Sequence, residues 1–155
     1  MINQILVAVD GSPFSLRAAR LGAKILHPNP AGTLILLYIA KPETDLDWFQ
    51  GPGGNIQEAP EKERRALETA LAKGQHILKE AVGALQDLMT GETFQIENLV
   101  VPGDPAQKII ETAEKRQAEL IIIGRRGVGS IRRTFLGSIS RKVLDQSQCP
   151  VLVVK

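Results

Sequence analysis

Gly124-Arg-Arg-Gly-Val-Gly-Ser-Ile-Arg-Arg-Thr-Phe-Leu-Gly-Ser-Ile-Ser140 follows Glu119-Leu-Ile-Ile-Ile123, an apolar run that reads as a buried strand. The stretch is rich in glycine and hydroxyls, carries four arginines and has no acid. It is either an ordinary basic surface loop or a cradle for phosphate. An anion needs donors that approach closely, with no carboxylate among them. Gly124, Gly127 and Gly129 let the backbone turn sharply and come near a ligand. Gly137-Ser138-Ile139-Ser140 opens a helix whose free N–H groups and positive dipole end favour phosphate. Ser130, Ser138 and Ser140 offer hydroxyl donors, and Arg125 and Arg126 offer neutralising charge. Two common nucleotide motifs fail here. Gly124 to Ser130 has the glycine spacing of a Walker A loop without its lysine. Gly127-Val-Gly129-Ser-Ile-Arg132 lacks the third glycine of a dinucleotide fingerprint.

Outward from that loop, apolar runs alternate with helical patterns. Ile5-Leu-Val-Ala-Val9 is a buried strand ending at Asp10-Gly11-Ser12. Ser12-Pro13 reads as an N-cap followed by proline at the first helical position, with Leu16, Ala19, Ala23 and Leu26 at helical spacing. Thr33 to Ile39 is a second strand. Lys41 to Pro60 reads as a long mobile loop, of the kind that forms a lid, a binding loop or a disordered segment. Glu61 to Leu88 predicts one long amphipathic helix with Leu67, Leu71, Leu78, Leu85 and Leu88 on one face. Phe94 to Val101 is a third strand, Ala106 to Arg116 a helix, Leu120 to Ile123 a fourth strand, Gly137 to Gln146 a helix, and Val151 to Val154 the last strand. This βαβαβαβαβ order predicts a parallel sheet covered on both faces. Ligands in such folds bind at the carboxyl ends of the strands, where strand order reverses. Asp10-Gly11-Ser12, Ile39, Gly103-Asp104 and Gly124 to Ser140 should therefore share one edge.

Composition narrows the class. The 155 residues suit one domain spanning 1–155. Hydrophobic residues are 43% and aromatics only 4%, so the core is aliphatic. A net charge of +2 gives no global attraction to nucleic acid or membrane. The single cysteine, Cys149, precludes an intramolecular disulfide and reads as a small buried hydrophobe. With no apolar run of membrane-spanning length and no basic leader, the expectation is a cytoplasmic protein.

The spacing Gly124-x2-Gly127-x9-Gly137-Ser138 resembles the G-x2-G-x9-G-[S/T] signature of the ATP-binding branch of the universal stress protein family. ILVAVDGS, PGDPAQKII, ELIIIGRRG and LGSISRKVLDQSQCPVLVVK also resemble that family, so the likeness spans nearly the whole chain. The resemblance implies a three-layer α/β/α sandwich of the adenine nucleotide alpha hydrolase-like kind, with a five-stranded parallel sheet in the order 3-2-1-4-5. It implies adenine near the ends of the first and second strands, around Asp10 and the Ile39 backbone, and Val9, Gly11 and Ser12 beside Asp10 are further candidates for binding the cofactor. It places the phosphates of ATP, ADP or AMP along Gly124, Arg126, Gly127, Gly137, Ser138 and Ile139, with Mg²⁺ accompanying the nucleotide; Arg125, Gly129 and Ser140 join these candidates from the chemistry of the loop itself. It also implies a homodimer through the edge strand Val151, Leu152, Val153 and Val154.

Other residues carry less. Asp10 could reach a ribose hydroxyl or nucleotide-bound Mg²⁺, or simply cap the turn after the first strand. Asp104 reads as a turn and helix cap. His27 and His76 lack ligand-rich neighbours, and no Ser/His/Asp or Cys/His set can be argued. Arg132, Arg133, Arg141 and Lys142 have only Phe135 interleaved, which disfavours nucleic acid. A nucleotide-responsive stress module, at most a slow ATPase, is the expected function. The alternatives are a dimeric scaffold with structural nucleotide and a phosphoacceptor receiver-like domain.

Overall fold

The computed structural model describes residues 1–27, 29–41, 57, 59–91, 93–128 and 136–155. Five parallel strands, β1 (Gln4–Ala8), β2 (Thr33–Ala40), β3 (Gln95–Pro102), β4 (Leu120–Gly124) and β5 (Val151–Val154), form one sheet in the order β3-β2-β1-β4-β5. The helices are α1 (Pro13–Leu26), α2 (Glu61–Gly83), α3 (Pro105–Lys115) and α4 (Ser138–Gln146). Side chains alternate across each strand. Ile5 and Val7 join α1 and α2 residues such as Ala19, Ala23 and Leu78 in one core layer. Leu6, Ile35 and Ile121 join Ala106, Ile109 and Val143 of α3 and α4 in the other. The chain winds from β1 to β3 with α1 and α2 on one face, then from β3 through β4 to β5 with α3 and α4 on the opposite face. Direction and face reverse together, so every crossover keeps one hand. The reversal falls between β1 and β4.

The first strand ends because Gly11 turns the chain at φ +86°. Ser12 then caps α1, its Oγ accepting from Ser15 N–H at 3.1 Å, with Pro13 at the first helical position. Asp104 caps α3 in the same way, accepting from Gln107 N–H at 3.0 Å, as its sequence position suggests. The long helix stops earlier than its leucine pattern predicts. α2 ends at Gly83, and Gln86–Leu88 form a separate 3₁₀ turn. Leu85 is still fully buried, so the apolar pattern continues through a change of backbone. Arg20 of α1 meets the chain at this boundary. Its guanidinium donates to the Ala84 carbonyl at 2.5 Å and to both Asp87 oxygens at 2.8 and 2.7 Å, satisfying a helix-end carbonyl.

Candidate functional site

A cavity of about 490 Å³ opens at the carboxyl edge of the sheet, across the reversal between β1 and β4. That volume is in the range of ligand pockets, roughly 300–1,000 Å³. Val9, Asp10, Gly11, Ile39, Gly124, Arg126, Gly127, Ile139 and Ser140 line it. These nine of the sequence candidates therefore meet in space, although β1, β2, β4 and α4 bring them from distant parts of the chain.

The main chain of Ile39 has a defined direction. Val9 N–H donates to Leu37 O at 2.8 Å on the β1 side, whereas Gly103 N–H donates to Ala40 O at 3.2 Å on the β3 side. Backbone groups of successive residues alternate along a strand. Ile39 N–H and C=O therefore face the β1 side, where β1 has already ended and the cavity begins.

Asp10 sits at the centre of the arrangement. Oδ1 accepts from Ser12 N–H at 2.9 Å and Oδ2 from Val128 N–H at 3.1 Å. The carboxylate thus caps the turn after β1 and also ties that turn to the loop after β4. Tyr38 lies nearby with its phenol held above the ordinary value of 10.0, through burial first and the Asp10 charge second.

The motif glycines also have a reason within the protein. None of Gly124, Gly127 and Gly137 has the left-handed φ that only glycine adopts readily. Each instead permits a close approach. A Cβ on Gly124 would stand 2.8 Å from Phe14 Cβ, one on Gly127 would stand 2.5 Å from Asp10 Oδ2, and one on Gly137 would stand 3.3 Å from Arg125 O. The constraint is firmest at Gly124, where the Phe14 main chain stands close as well.

Several candidates serve the fold. Ser12 is the buried cap of α1 and is not part of the cavity wall. Ser140 lines the cavity, yet its hydroxyl proton is committed, since it donates to Gly124 O at 2.8 Å. It is therefore not the spare donor that its hydroxyl suggests. Arg125 acts through its main chain, donating to Val154 O at 2.7 Å and accepting from Gly137 N–H at 2.9 Å. Gly137 is the N-cap residue of α4, and Ser138, its first residue, is exposed outside the cavity wall. Arg126 places its guanidinium 5.1 Å from the Phe14 ring centroid, a cation–π distance. Gly129 lies outside the described residues, as do Ser130, residues 131–135 and most of the loop between Lys41 and Pro60.

The sequence reading missed the wall supplied by α2. Lys73, Ile77 and Glu80 line the cavity, together with Tyr38, Pro105 and Ile109. Lys73, Ile77 and Glu80 recur at i, i+4 and i+7, a signal present in the sequence but indistinguishable there from a helix flank. Glu80 Oε1 is 3.4 Å from His76 Nε2. Asp104 is occupied with its cap and with Lys142, 3.5 Å away. Among the described residues, no group of three or more His, Cys, Asp or Glu is placed to hold a metal ion. Cys149 is partly buried, and its thiol donates to Ala118 O at 3.1 Å. Burial raises its pKa above the ordinary 9.0, which makes it a poor nucleophile.

Fold and site define a doubly wound parallel α/β protein with a ligand-sized cleft at its topological switch point. The chain matches the model of the universal stress protein family over residues 1–155 and belongs to that family. It is 30% identical to the Bacillus subtilis universal stress protein YxiE over 156 residues, covering 100% of both chains. It is 32% identical to a Thermus aquaticus universal stress protein over 158 residues, again covering 100% of both. The solved structure of MJ0577 superposes with a TM-score of 0.79 at 24% identity, over 100% of this chain and 96% of that one. Universal stress proteins of the same fold have been solved with adenine nucleotides. One from Archaeoglobus fulgidus holds dAMP (TM-score 0.61, 21% identity, 100% of both chains). One from Arabidopsis thaliana holds AMP (TM-score 0.64, 20% identity, 99% of this chain and 91% of that one). A third holds cAMP (TM-score 0.63, 24% identity, 99% of this chain and 97% of that one). Among the described residues, no helix is long and apolar enough to cross a membrane.

Proposed function

We propose that the cleft binds an adenine nucleotide, with ATP its main ligand, and that the protein is a nucleotide-responsive stress-signalling module. The observation that carries this reading is convergence: the Ile39 main chain, which has no strand partner on the β1 side among the described residues, and the glycine-spaced loop from Gly124 open on one cavity. Adenine presents an amino donor beside a ring-nitrogen acceptor, and a strand's C=O and N–H match that pair. The base would lie against Val9, Gly11, Ile39 and Ile77. The phosphates would run past Gly124, Arg126 and Gly127 toward Ile139 and the helix start at Gly137-Ser138, where main-chain N–H groups and Arg126 suit an anion. The AMP, dAMP and cAMP held by neighbours of the same fold favour adenine as the base. The preference for ATP or ADP over AMP rests on the spacing Gly124-x2-Gly127-x9-Gly137-Ser138.

Mg²⁺ would be held chiefly by the phosphates, because both Asp10 oxygens already accept main-chain N–H groups. We read a binder rather than a conventional enzyme for the same reason. Of the two cavity-lining carboxylates, Asp10 is so engaged and Glu80 lies beside His76. We also propose a homodimer through β5, the edge strand of the sheet, which pairs with β4 on one side and with no other strand among the described residues. A cytoplasmic location fits this assignment. Mass spectrometry of small molecules released on denaturing freshly purified protein, followed by calorimetric titration with ATP, ADP, AMP and GTP, tests the reading. Adenine nucleotides should bind and GTP should bind more weakly. Equal affinity for GTP, or no heat with any of the four, refutes it.

A further inference from the structure

The first anion at the start of the β4 loop is the protein's own. Asp10 Oδ2 takes Val128 N–H at 3.1 Å while Oδ1 takes Ser12 N–H at 2.9 Å. Bonds near each end tie this contact to the fold. On one side, Asp10 N–H donates to Ser15 Oγ at 3.3 Å, and that hydroxyl donates to Ser12 O at 2.9 Å. On the other, Arg125 is bonded through its main chain to Val154 and to Gly137. Gly127 leaves room for the carboxylate, since a Cβ there would stand 2.5 Å from Oδ2.

We infer that Asp10 is a specificity-determining residue of the cleft, a built-in anion that occupies the Val128 N–H and so discriminates among ligands by phosphate charge. The inference rests on the nucleotide reading for the identity of the ligand, and its test uses an anion that has no base. A phosphate oxygen reaching Val128 N–H must take the place of Oδ2. Until Asp10 turns away, that oxygen meets a like charge at close range. A neutral ligand seated against Val9, Ile39 and Ile77 meets no such opposition. The role is distinct from the ribose or Mg²⁺ contact that the strand-end position of Asp10 suggests, because it predicts the opposite sign: removing the carboxylate tightens phosphate binding.

Two variants separate charge from shape. Asp10→Asn keeps one acceptor for Ser12 N–H and turns a donor toward Val128 N–H, which frees that group. Asp10→Ser keeps a turn-capping oxygen too short to span to Val128. Inorganic triphosphate and adenosine are titrated separately, at constant ionic strength, into wild type and both variants. Triphosphate should bind about tenfold more tightly to each variant, the size of a lost contact to a charged group. Adenosine, which carries no phosphate, should gain no affinity in either variant, and a gain shared by both ligands overturns the inference. Triphosphate binding equally or more weakly in the variants, or undetectable in all three proteins at millimolar concentration, overturns the inference. Failure of adenosine to bind wild type counts instead against the nucleotide reading, while the triphosphate titration still decides the role of Asp10. Should both variants unfold, nuclear magnetic resonance on wild type decides. Triphosphate must shift the Val128 amide and the Asp10 carboxyl together, and a shift of one alone, or of neither, overturns the proposal.

Discussion

Gly127 turns its α-carbon to Asp10 so closely that a methyl group there would stand 2.5 Å from Oδ2. Gly127→Ala must therefore displace the carboxylate or the loop. Overpacking of this kind costs about 1–3 kcal/mol. In an Asp10→Ser background the obstacle is gone, and the same substitution should cost much less. A double-mutant cycle in urea should give a coupling near 1 kcal/mol, the usual size for residues in contact. Strict additivity would show that this contact does not decide residue 127.

Gly127→Val should weaken ATP more than Ser138→Ala does. The branched side chain fills the approach to the loop, whereas Ser138, exposed at the first position of α4, gives up a single hydroxyl and leaves the helix N–H groups in place. The loss for Ser138→Ala should not exceed one bond to a charged group, roughly 1.5–3 kcal/mol. Calorimetric titration of folded variants gives the order. Unchanged ATP affinity in Gly127→Val would remove the loop from the site.

Tyr38 is the only tyrosine of the chain, so the alkaline absorbance change of tyrosinate reports it alone. Burial, and then the Asp10 charge, hold its pKa above 10.0. Because the folded value is raised, the neutral phenol contributes stability that is complete below pH 10.0 and is lost as pH rises through the folded value. Asp10→Asn should lower the Tyr38 midpoint only part of the way, since burial is the larger cause. A midpoint that Asp10→Asn leaves unchanged would separate the two groups.

How much of this was legible beforehand follows from which physics is local. β-Branched runs ending in Asp10-Gly11 and Gly124 announce strands, and the alternation of strands with helices implies a parallel sheet. Ser12-Pro13 and Asp104-Pro105 announce two helix starts, because a cap and its proline are neighbours in sequence. The end of α2 was not legible, since the leucine pattern runs on to Leu88 while the backbone changes after Gly83, and the Arg20 bond to Ala84 O there comes from another helix. The cavity wall at Lys73, Ile77 and Glu80 was hidden because the same spacing serves an ordinary helix flank. The glycine spacing was visible, but its structural reason was not: Phe14, Asp10 and Arg125 O approach Gly124, Gly127 and Gly137 only in three dimensions.

Asp104 should make acid stability depend on pH. The Gln107 N–H first, and then the Lys142 charge, hold its carboxyl below the ordinary 3.8. The folded value lies below the unfolded one. The contribution is therefore complete above pH 3.8 and is lost as pH falls through the depressed folded value. Asp104→Asn keeps a capping oxygen and removes only the charge. The wild type should melt slightly higher than Asp104→Asn at neutral pH, and the gap should close in melts taken well below pH 3.8. A gap that persists in acid would assign the difference to the cap's shape.

The proposed dimer edge can now be addressed residue by residue. In sequence, either Leu152 or Val153 could donate its N–H to the fourth strand. Two bonds that flank β5 decide it. Ile121 N–H donates to Pro150 O at 2.9 Å, and Arg125 N–H donates to Val154 O at 2.7 Å. Alternation then turns Pro150, Leu152 and Val154 toward β4, and turns the N–H groups of Val151 and Val153 to the open edge. Proline removes a donor, and strands tolerate it only where that donor faces outward. Leu152→Pro should break the ladder to β4 and lower the melting temperature, by the several degrees expected for about 1–3 kcal/mol in a domain of this size. Val153→Pro should leave the fold nearly intact and abolish pairing of β5 with a second copy. Light scattering coupled to size exclusion at tens of micromolar, with a melt of each variant, reads both effects. A folded, monomeric Val153→Pro beside a dimeric wild type is the expected result. A monomeric wild type, or a Val153→Pro variant that stays dimeric, rules out assembly through this edge, and a Leu152→Pro variant as stable as wild type would overturn the strand's assigned orientation.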